Sequence, residues 1–365
     1  MAKERVVITG LGVIASNGVG KDAFFEAILH NTSGIKPVSL FDTAQFNVKT
    51  AGEIKDFVPE EFLGAKGLRT LDRSTKLACS ASKLALLDAG LEVTQDNAHD
   101  IGVSIGNTLG SVHSITEFDR EAIEEGPRYV NPAFFPNTVI NSPASQVSIK
   151  FNIQGFNTTI STGFPASLDA LNYAADFIRL GRVKAVLAGG VEELCIQTFL
   201  GFYRKGLMAG SPSGKGGVII GEGAAILVLE GLDSALGRKA HIYAEVLGYG
   251  SGRGSKEGIR KAIEEAIKEA NISSDDIDYI SSGANSNNEN DLAEAEVLKG
   301  LFRNKNKLQV NPIKALVGEC YSASGSLQAA ASLAAIEKQN ARNVLINAFG
   351  LNGSNSSLII SAFKG

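Results

Sequence analysis

Three cysteines and four histidines supply every thiol and imidazole in a chain of 365 residues, so cysteine or histidine chemistry has only seven addresses. Cys79 sits in a helical pattern beside Leu77-Ala78, Cys195 follows Glu192-Glu193-Leu194, and Cys320 follows Glu319. All three read as small core residues, because free cysteine is usually buried and inert. An odd, widely spaced set excludes a disulfide framework and matches no zinc pattern. His30 ends a helix, where a cation suits the dipole. His99 lies in an acidic turn between Asp96 and Asp100, His113 follows a Gly-containing loop, and His241 opens a strand. No two lie at ligand spacing, so the sequence predicts no metal and no cofactor.

Two glycine-rich stretches test nucleotide chemistry and fail. Gly10-Leu11-Gly12-Val13-Ile14-Ala15 follows a strand, but Asn17-Gly18 makes another turn before any helix, and no acid ends a following strand at the right distance. It reads as a tight strand-to-loop turn. Gly210-Ser-Pro-Ser-Gly214-Lys215 is one residue short of a P-loop and lacks the following Ser/Thr, and reads as a surface loop.

The elements that position these residues alternate. Short apolar runs at Val6 to Thr9, Ile101 to Ile105, Thr158 to Thr162 and Lys184 to Ala188 predict buried strands. Between them, Asp22 to His30, Thr75 to Ala89 and Ala166 to Leu180 have helical spacing. The alternation restarts after about residue 230. His241 to Leu247, Asp278 to Ser281 and Leu308 to Val310 predict strands, and Val344 to Phe349 with Ser357 to Ser361 predicts a closing strand pair. Lys256 to Ala270, capped by Ser255, Asp291 to Leu301 and Ser324 to Glu337 predict helices. An α/β pattern that runs twice predicts a duplicated layered fold in one compact unit, with halves at 1–235 and 236–365.

Composition bounds the function. The net charge of −4 argues against nucleic-acid binding, which needs a basic footprint. No run approaches the length of a membrane span, and the first residues have no signal-peptide layout, so the expected compartment is the cytoplasm.

From residue 4 to residue 363 the chain resembles the β-ketoacyl-ACP synthases, the elongating ketosynthases of the thiolase fold. The resemblance rests on ordered motifs. They are Arg5-Val-Val-Ile-Thr-Gly-Leu-Gly12, Gly126-Pro127-Arg128 with Phe134-Phe135-Pro136-Asn137-Thr138, Ala188-Gly189-Gly190-Val191-Glu192, Lys314-Ala-Leu-Val-Gly318 and Asn347-Ala-Phe-Gly350-Leu-Asn-Gly353-Ser-Asn355. The fold it implies is a pair of βαβαβαββ halves in a layered α/β/α/β/α sandwich, and Ala188 to Glu192 is expected at the turn after the fourth strand. Asp291, Glu192 and Lys314 are retained family positions.

The family's chemistry needs a cysteine at a helix N-terminus to take an acyl group, and two histidines to polarise a malonyl thioester carbonyl and assist loss of CO2. All three positions are changed. In Ser161-Thr162-Gly163-Phe164-Pro165-Ala166 the cysteine's place is held by Phe164, which cannot be acylated. In Ser281-Ser282-Gly283-Ala284 the first histidine is replaced by Gly283, and after Gly318 the second is replaced by Glu319. The family's Phe gate is replaced by Leu351. The loops expected to be trimmed beside the active-site entrance are Gly250 to Lys256 and Lys338 to Arg342.

The resemblance implies a chain-length-factor subunit, non-catalytic by itself, that pairs with an active ketosynthase and shapes its acyl tunnel in fatty-acid, polyketide or polyene synthesis. The interface strand would be Asn157 to Thr162. Leu109 and Phe134 would reach toward the partner's tunnel, with Phe164 plugging or flooring it. Lys66, Arg69, Arg73, Arg204 and Lys205 could meet an acidic acyl carrier protein. Two other readings stand beside this one: a non-catalytic acyl-binding or scaffolding homodimer, and an active acyltransferase or decarboxylase that uses Glu319 as a base.

Overall fold

In the computed structural model the described residues are 4–211, 217–303 and 308–364. Among the described residues eleven strands build the central sheet, the two-residue strand Gly18–Val19 beside β1 and ten along its path: β1 (Val6–Ala15), β2 (Ile101–Gly106), β3 (Asn157–Ile160), β4 (Ala185–Glu192), β5 (Gly223–Gly231), β6 (Ala244–Arg253), β7 (Tyr279–Ser281), β8 (Gln309–Asn311), β9 (Asn343–Phe349) and β10 (Ser354–Ala362). The longer helices are α1 (Lys21–Leu29), α2 (Arg73–Ala89), α3 (Val112–Glu124), α4 (Ser142–Phe151), α5 (Ala166–Arg179), α6 (Ile196–Arg204), α7 (Lys256–Ala270), α8 (Asn288–Leu301) and α9 (Ser324–Gln339).

The sheet runs β8-β7-β9-β10-β6-β1-β5-β4-β2-β3. The first five strands take the order β3-β2-β4-β5-β1, and the second five take β8-β7-β9-β10-β6, so adding five to each label maps one order on the other. In each group two parallel pairings are followed by two antiparallel ones. The groups meet only where Val7 pairs with Glu245 and Ile8 with Ala244. Beyond that narrow seam α5 and α9 fill the space between them in one core cluster with Leu168, Leu171, Leu327 and Leu333. Separate clusters lie outside, one holding Leu77 and Ala85 of α2, the other Ile259 and Ile263 of α7. The result is the five-layered thiolase fold, in which helices cover both faces of a mixed sheet with four parallel and five antiparallel pairings along its path.

Several sequence expectations are corrected. Gly10 to Ala15 is not a turn but the continuation of β1. Its glycines are there for close approach: a Cβ on Gly12 would run into the Ala81 carbonyl oxygen of α2, and one on Gly10 into that of Ala85. The same device recurs in β6, where Gly250 meets the Ala262 carbonyl of α7. Ala188 to Glu192 likewise lies inside β4, where Gly189 admits the Ala225 carbonyl of β5. β3 ends at Ile160, and β6 begins at Ala244, beyond His241. Ser255 holds the N-cap position of α7 but its side chain makes no capping hydrogen bond. Pro212 to Lys215 of the P-loop-like stretch lies outside the described residues. Lys338 to Arg342 stands at the start of β9, where Arg342 N–H donates to Asp278 before β7, far along both strands from the ends that carry Gly283 and Phe349. α3, α4, α6 and β5 were not foreseen.

Replacing Gly12 by Ala should destabilise the chain by about 1–3 kcal/mol, because the added methyl meets backbone that cannot move aside. A denaturant midpoint unchanged from that of the parent would show that α2 can lift from β1.

Candidate active site

The three substituted positions converge at the C-terminal ends of the strands. Phe164 sits in the turn between β3 and α5, held by Gly163 at φ 98°. The Thr108 hydroxyl donates to the Gly163 carbonyl at 2.7 Å. The Ala166 amide closes onto the same carbonyl at 3.0 Å, so the helix start survives without its nucleophile. The Phe164 ring is 7% exposed and lies among Leu194, Phe199, Met208 and Tyr321. It stacks on Phe202 of α6 at 6.4 Å and meets Tyr321 edge-on at 5.6 Å.

Gly283 follows β7. Its amide donates to Glu294 at 3.1 Å and its carbonyl accepts from the Lys314 ammonium at 3.0 Å. A Cβ here would stand 2.6 Å from the ring of Phe349, so the space a histidine would need is taken by that ring. Glu319 is buried and every oxygen is occupied. One accepts from Lys314 at 3.0 Å and from the Asn285 amide at 2.6 Å. The other accepts from the Tyr321 N–H at 3.0 Å and from the Ser324 hydroxyl at 2.6 Å. A carboxylate saturated by four donors, one of them a buried ammonium, has no free lone pair aimed at a substrate.

The retained positions frame this network. Asp291 accepts the amides of Asn285 and Ser286 at 3.1 and 2.9 Å, and burial still pushes its carboxyl up. Lys314 is 3% exposed and bridges Gly283 to Glu319. Glu192, at the end of β4, is wholly buried, and desolvation pushes its carboxyl up to about 7 against the pull of its hydrogen bonds to Ser322, Leu109 and Thr108.

The other singled-out residues divide. Leu109 is half-buried against the Phe164 cluster. Phe134 lies elsewhere, in a groove beside α3 with Phe118, Glu117, Glu121 and Glu125. Leu351 is 44% exposed at the tip of the last loop, and Phe349 rather than Leu351 covers Gly283. Arg73 is spoken for: it makes a bidentate pair with Glu222 at 2.7 and 2.6 Å, whereas Lys66, Arg69, Arg204 and Lys205 are exposed. Cys320 is fully buried, with its thiol pushed well up by desolvation and by Glu319, which removes it as a substitute nucleophile.

Tyr321, Phe349 and Phe202 were missed by sequence reasoning, and no local signal marks them. Tyr321 stands out only in the structure, as a fully buried non-glycine residue at φ 50°, a conformation that persists only where the surroundings impose it. Cys195, expected as a core residue, is buried and also holds the N-cap position of α6. It lines a cavity of about 130 Å³ with Arg73, His113 and Glu193, but burial raises its thiol pKa. Among the described residues no group of three acidic, histidine or cysteine side chains is placed to hold a metal ion. No helix among them is long and apolar enough to cross a membrane.

Two half-sheets related by a five-strand offset around a central helix pair, with a site where three loops meet, define a thiolase-fold protein of the condensing type. The sequence comparisons agree: residues 3–235 match the β-ketoacyl synthase N-terminal domain and 243–345 its C-terminal domain, and the chain belongs to the β-ketoacyl synthase family. It is 30% identical to 3-oxoacyl-[acyl-carrier-protein] synthase 2 of Coxiella burnetii over 410 aligned residues, with 99% of each chain covered. To that of Vibrio cholerae it is 32% identical over 412, covering 98% of this chain and 99% of the relative. The solved structure of the ishigamide ketosynthase/chain length factor matches with a TM-score of 0.92, 28% identity and full coverage of both chains. A type II PKS acyl-carrier protein in complex with its ketosynthase bound to the hexaketide matches at 0.88 and 25% identity, covering 99% of this chain and 100% of that one.

Glu193, beside Glu192, gives a measurable pH dependence. Desolvation and then the charge of Asp72 push its carboxyl up to about 8 from 4.5, with Glu222 adding to the push. A folded pKa above the unfolded one means stability present at low pH is lost as pH rises through that window. Relative to Glu193→Gln, the parent chain should therefore lose thermal stability between about pH 5 and pH 8. Parallel Tm profiles for the two would show that Glu193 is ionised throughout.

Proposed function

We propose that the chain is a non-catalytic, chain-length-factor subunit that pairs with an active ketosynthase and shapes its acyl tunnel in fatty-acid, polyketide or polyene biosynthesis. The observation that carries this reading is the filling of the catalytic centre. A phenyl ring stands in the nucleophile's place under Tyr321 and Phe202, a second ring covers Gly283, and Glu319 is saturated. Loss of one residue would leave a cavity; here each lost group is replaced by packed matter, so the fold is kept for a purpose other than acyl transfer. The likeness to a solved ketosynthase/chain length factor supports the same reading.

A partner-facing surface supports it further. None of the thirteen residues of α3 is buried, and Ile123, Tyr129, Phe135, Val139 and Ile140 around it are exposed. Exposed apolar area of this kind marks an interaction site. Glu117, Glu121 and Glu125 form an i, i+4, i+8 acidic stripe along α3 in the same region. Two copies opposing this stripe would repel, which favours an unlike partner over the homodimer reading. The exposed Lys66, Arg69, Arg204 and Lys205 are candidates to meet an acyl carrier protein.

Coexpressed with a ketosynthase that keeps Cys and both His, the chain should purify as a one-to-one complex, while alone it should not decarboxylate a malonyl thioester. Within the complex, Leu109→Ala or Phe134→Ala should shift the products toward longer chains. A stable homodimer that rejects such ketosynthases would sink the pairing, and unchanged product length in both variants would remove the tunnel role.

A further inference from the structure

Glu192 is read above only as a retained position, yet its hydrogen bonds tie β4 to two other segments, the turn at Thr108 and Leu109 and the turn at Ser322. One oxygen, Oε1, accepts from the Thr108 amide at 2.5 Å, from the Leu109 amide at 3.0 Å and from the Ser322 hydroxyl at 2.7 Å. The other, Oε2, is buried and has no hydrogen-bond partner. Two consecutive N–H groups converging on one carboxylate oxygen form an anion-binding concavity whose anion is supplied from β4. Other bonds, one local and the rest long-range, also hold the turn they belong to. Asn107 accepts from the Gly110 amide at 3.0 Å and donates to the Ile140 carbonyl at 3.0 Å, and Gly110 sits at φ 65°. Thr108 also holds the Gly163 carbonyl at the base of the Phe164 turn. Ser322 follows Tyr321, whose ring lies against Phe164.

We infer that Glu192 is a positioning residue: it fixes where Leu109 stands, and through Ser322 it ties that position to the Tyr321 turn beneath Phe164. The side chain presented at the surface is thereby set from inside the sheet, by a group that touches neither a partner nor an acyl chain. The functional half of this inference rests on the proposed tunnel role of Leu109; the structural half does not.

The test has two arms, both at one fixed pH. In the isolated full-length chain, hydrogen exchange at the Thr108 and Leu109 amides should be about tenfold faster in Glu192→Ala than in the parent, with Glu192→Gln intermediate and the amides of β5 unchanged. If the Ala variant does not fold, the Gln variant decides alone. Exchange at those two amides unchanged from the parent overturns the inference. In the complex with a Cys-His-His ketosynthase, Glu192→Gln should move the product distribution in the direction of Leu109→Ala and add nothing in the Leu109→Ala background. If Leu109→Ala alters product length and Glu192→Gln does not, the inference fails while the tunnel reading stands. If neither alters it, the tunnel reading fails, and the exchange arm still judges the positioning role.

Discussion

A lysine ammonium and a glutamate carboxylate, both shut away from water, hold the centre of this molecule together. Lys314 and Glu319 lie five residues apart around the short helix Lys314–Val317, and each needs the other, because an isolated buried charge is far more costly than a paired one. Having met, they recruit their surroundings. Lys314 takes the Gly283 carbonyl, and Glu319 takes Asn285, the Tyr321 amide and Ser324. That fixes the end of β7, the unusual turn at Tyr321 and the start of α9 relative to one another. Phe164 is covered by Tyr321, so even the nucleophile's replacement depends on the pair at one remove.

The arrangement packs the positions of Phe164, Gly283 and Glu319 without loosening the fold. A ketosynthase active site must keep room for a substrate and donors aimed at it. Here room and donors have both been turned inward: rings occupy the space, and hydrogen-bonding groups satisfy one another. Membership of the β-ketoacyl synthase family fixes the scaffold, and the contents of the site distinguish this chain within it.

Much of this was legible in the sequence, for identifiable reasons. α7 shows strong local periodicity, and the doubled α/β alternation needs no long-range information to see. The substituted positions Phe164, Gly283 and Glu319 are marked by intact neighbouring motifs. What escaped was decided at a distance. The glycines of β1 look like a turn until the backbone of α2, some seventy residues on, is found lying across them. The Phe349 ring over Gly283 joins residues 66 apart, and the partners of the Glu319 carboxylate come from both sides of it, the farthest being Asn285. α3 escaped for the opposite reason: it buries none of its residues in its own chain, so its pattern serves a surface rather than a core.

β3 pairs with β2 on one side only, which leaves Asn157–Ile160 as an open edge of the sheet. An unprotected edge of this sort is a template for adding any strand that comes near. None of Asn157, Thr158, Thr159 and Ile160 is ionisable, so its shortness rather than charge limits such pairing. A further strand laid along it would extend the sheet on that side, and an edge left bare is where misassembly would start.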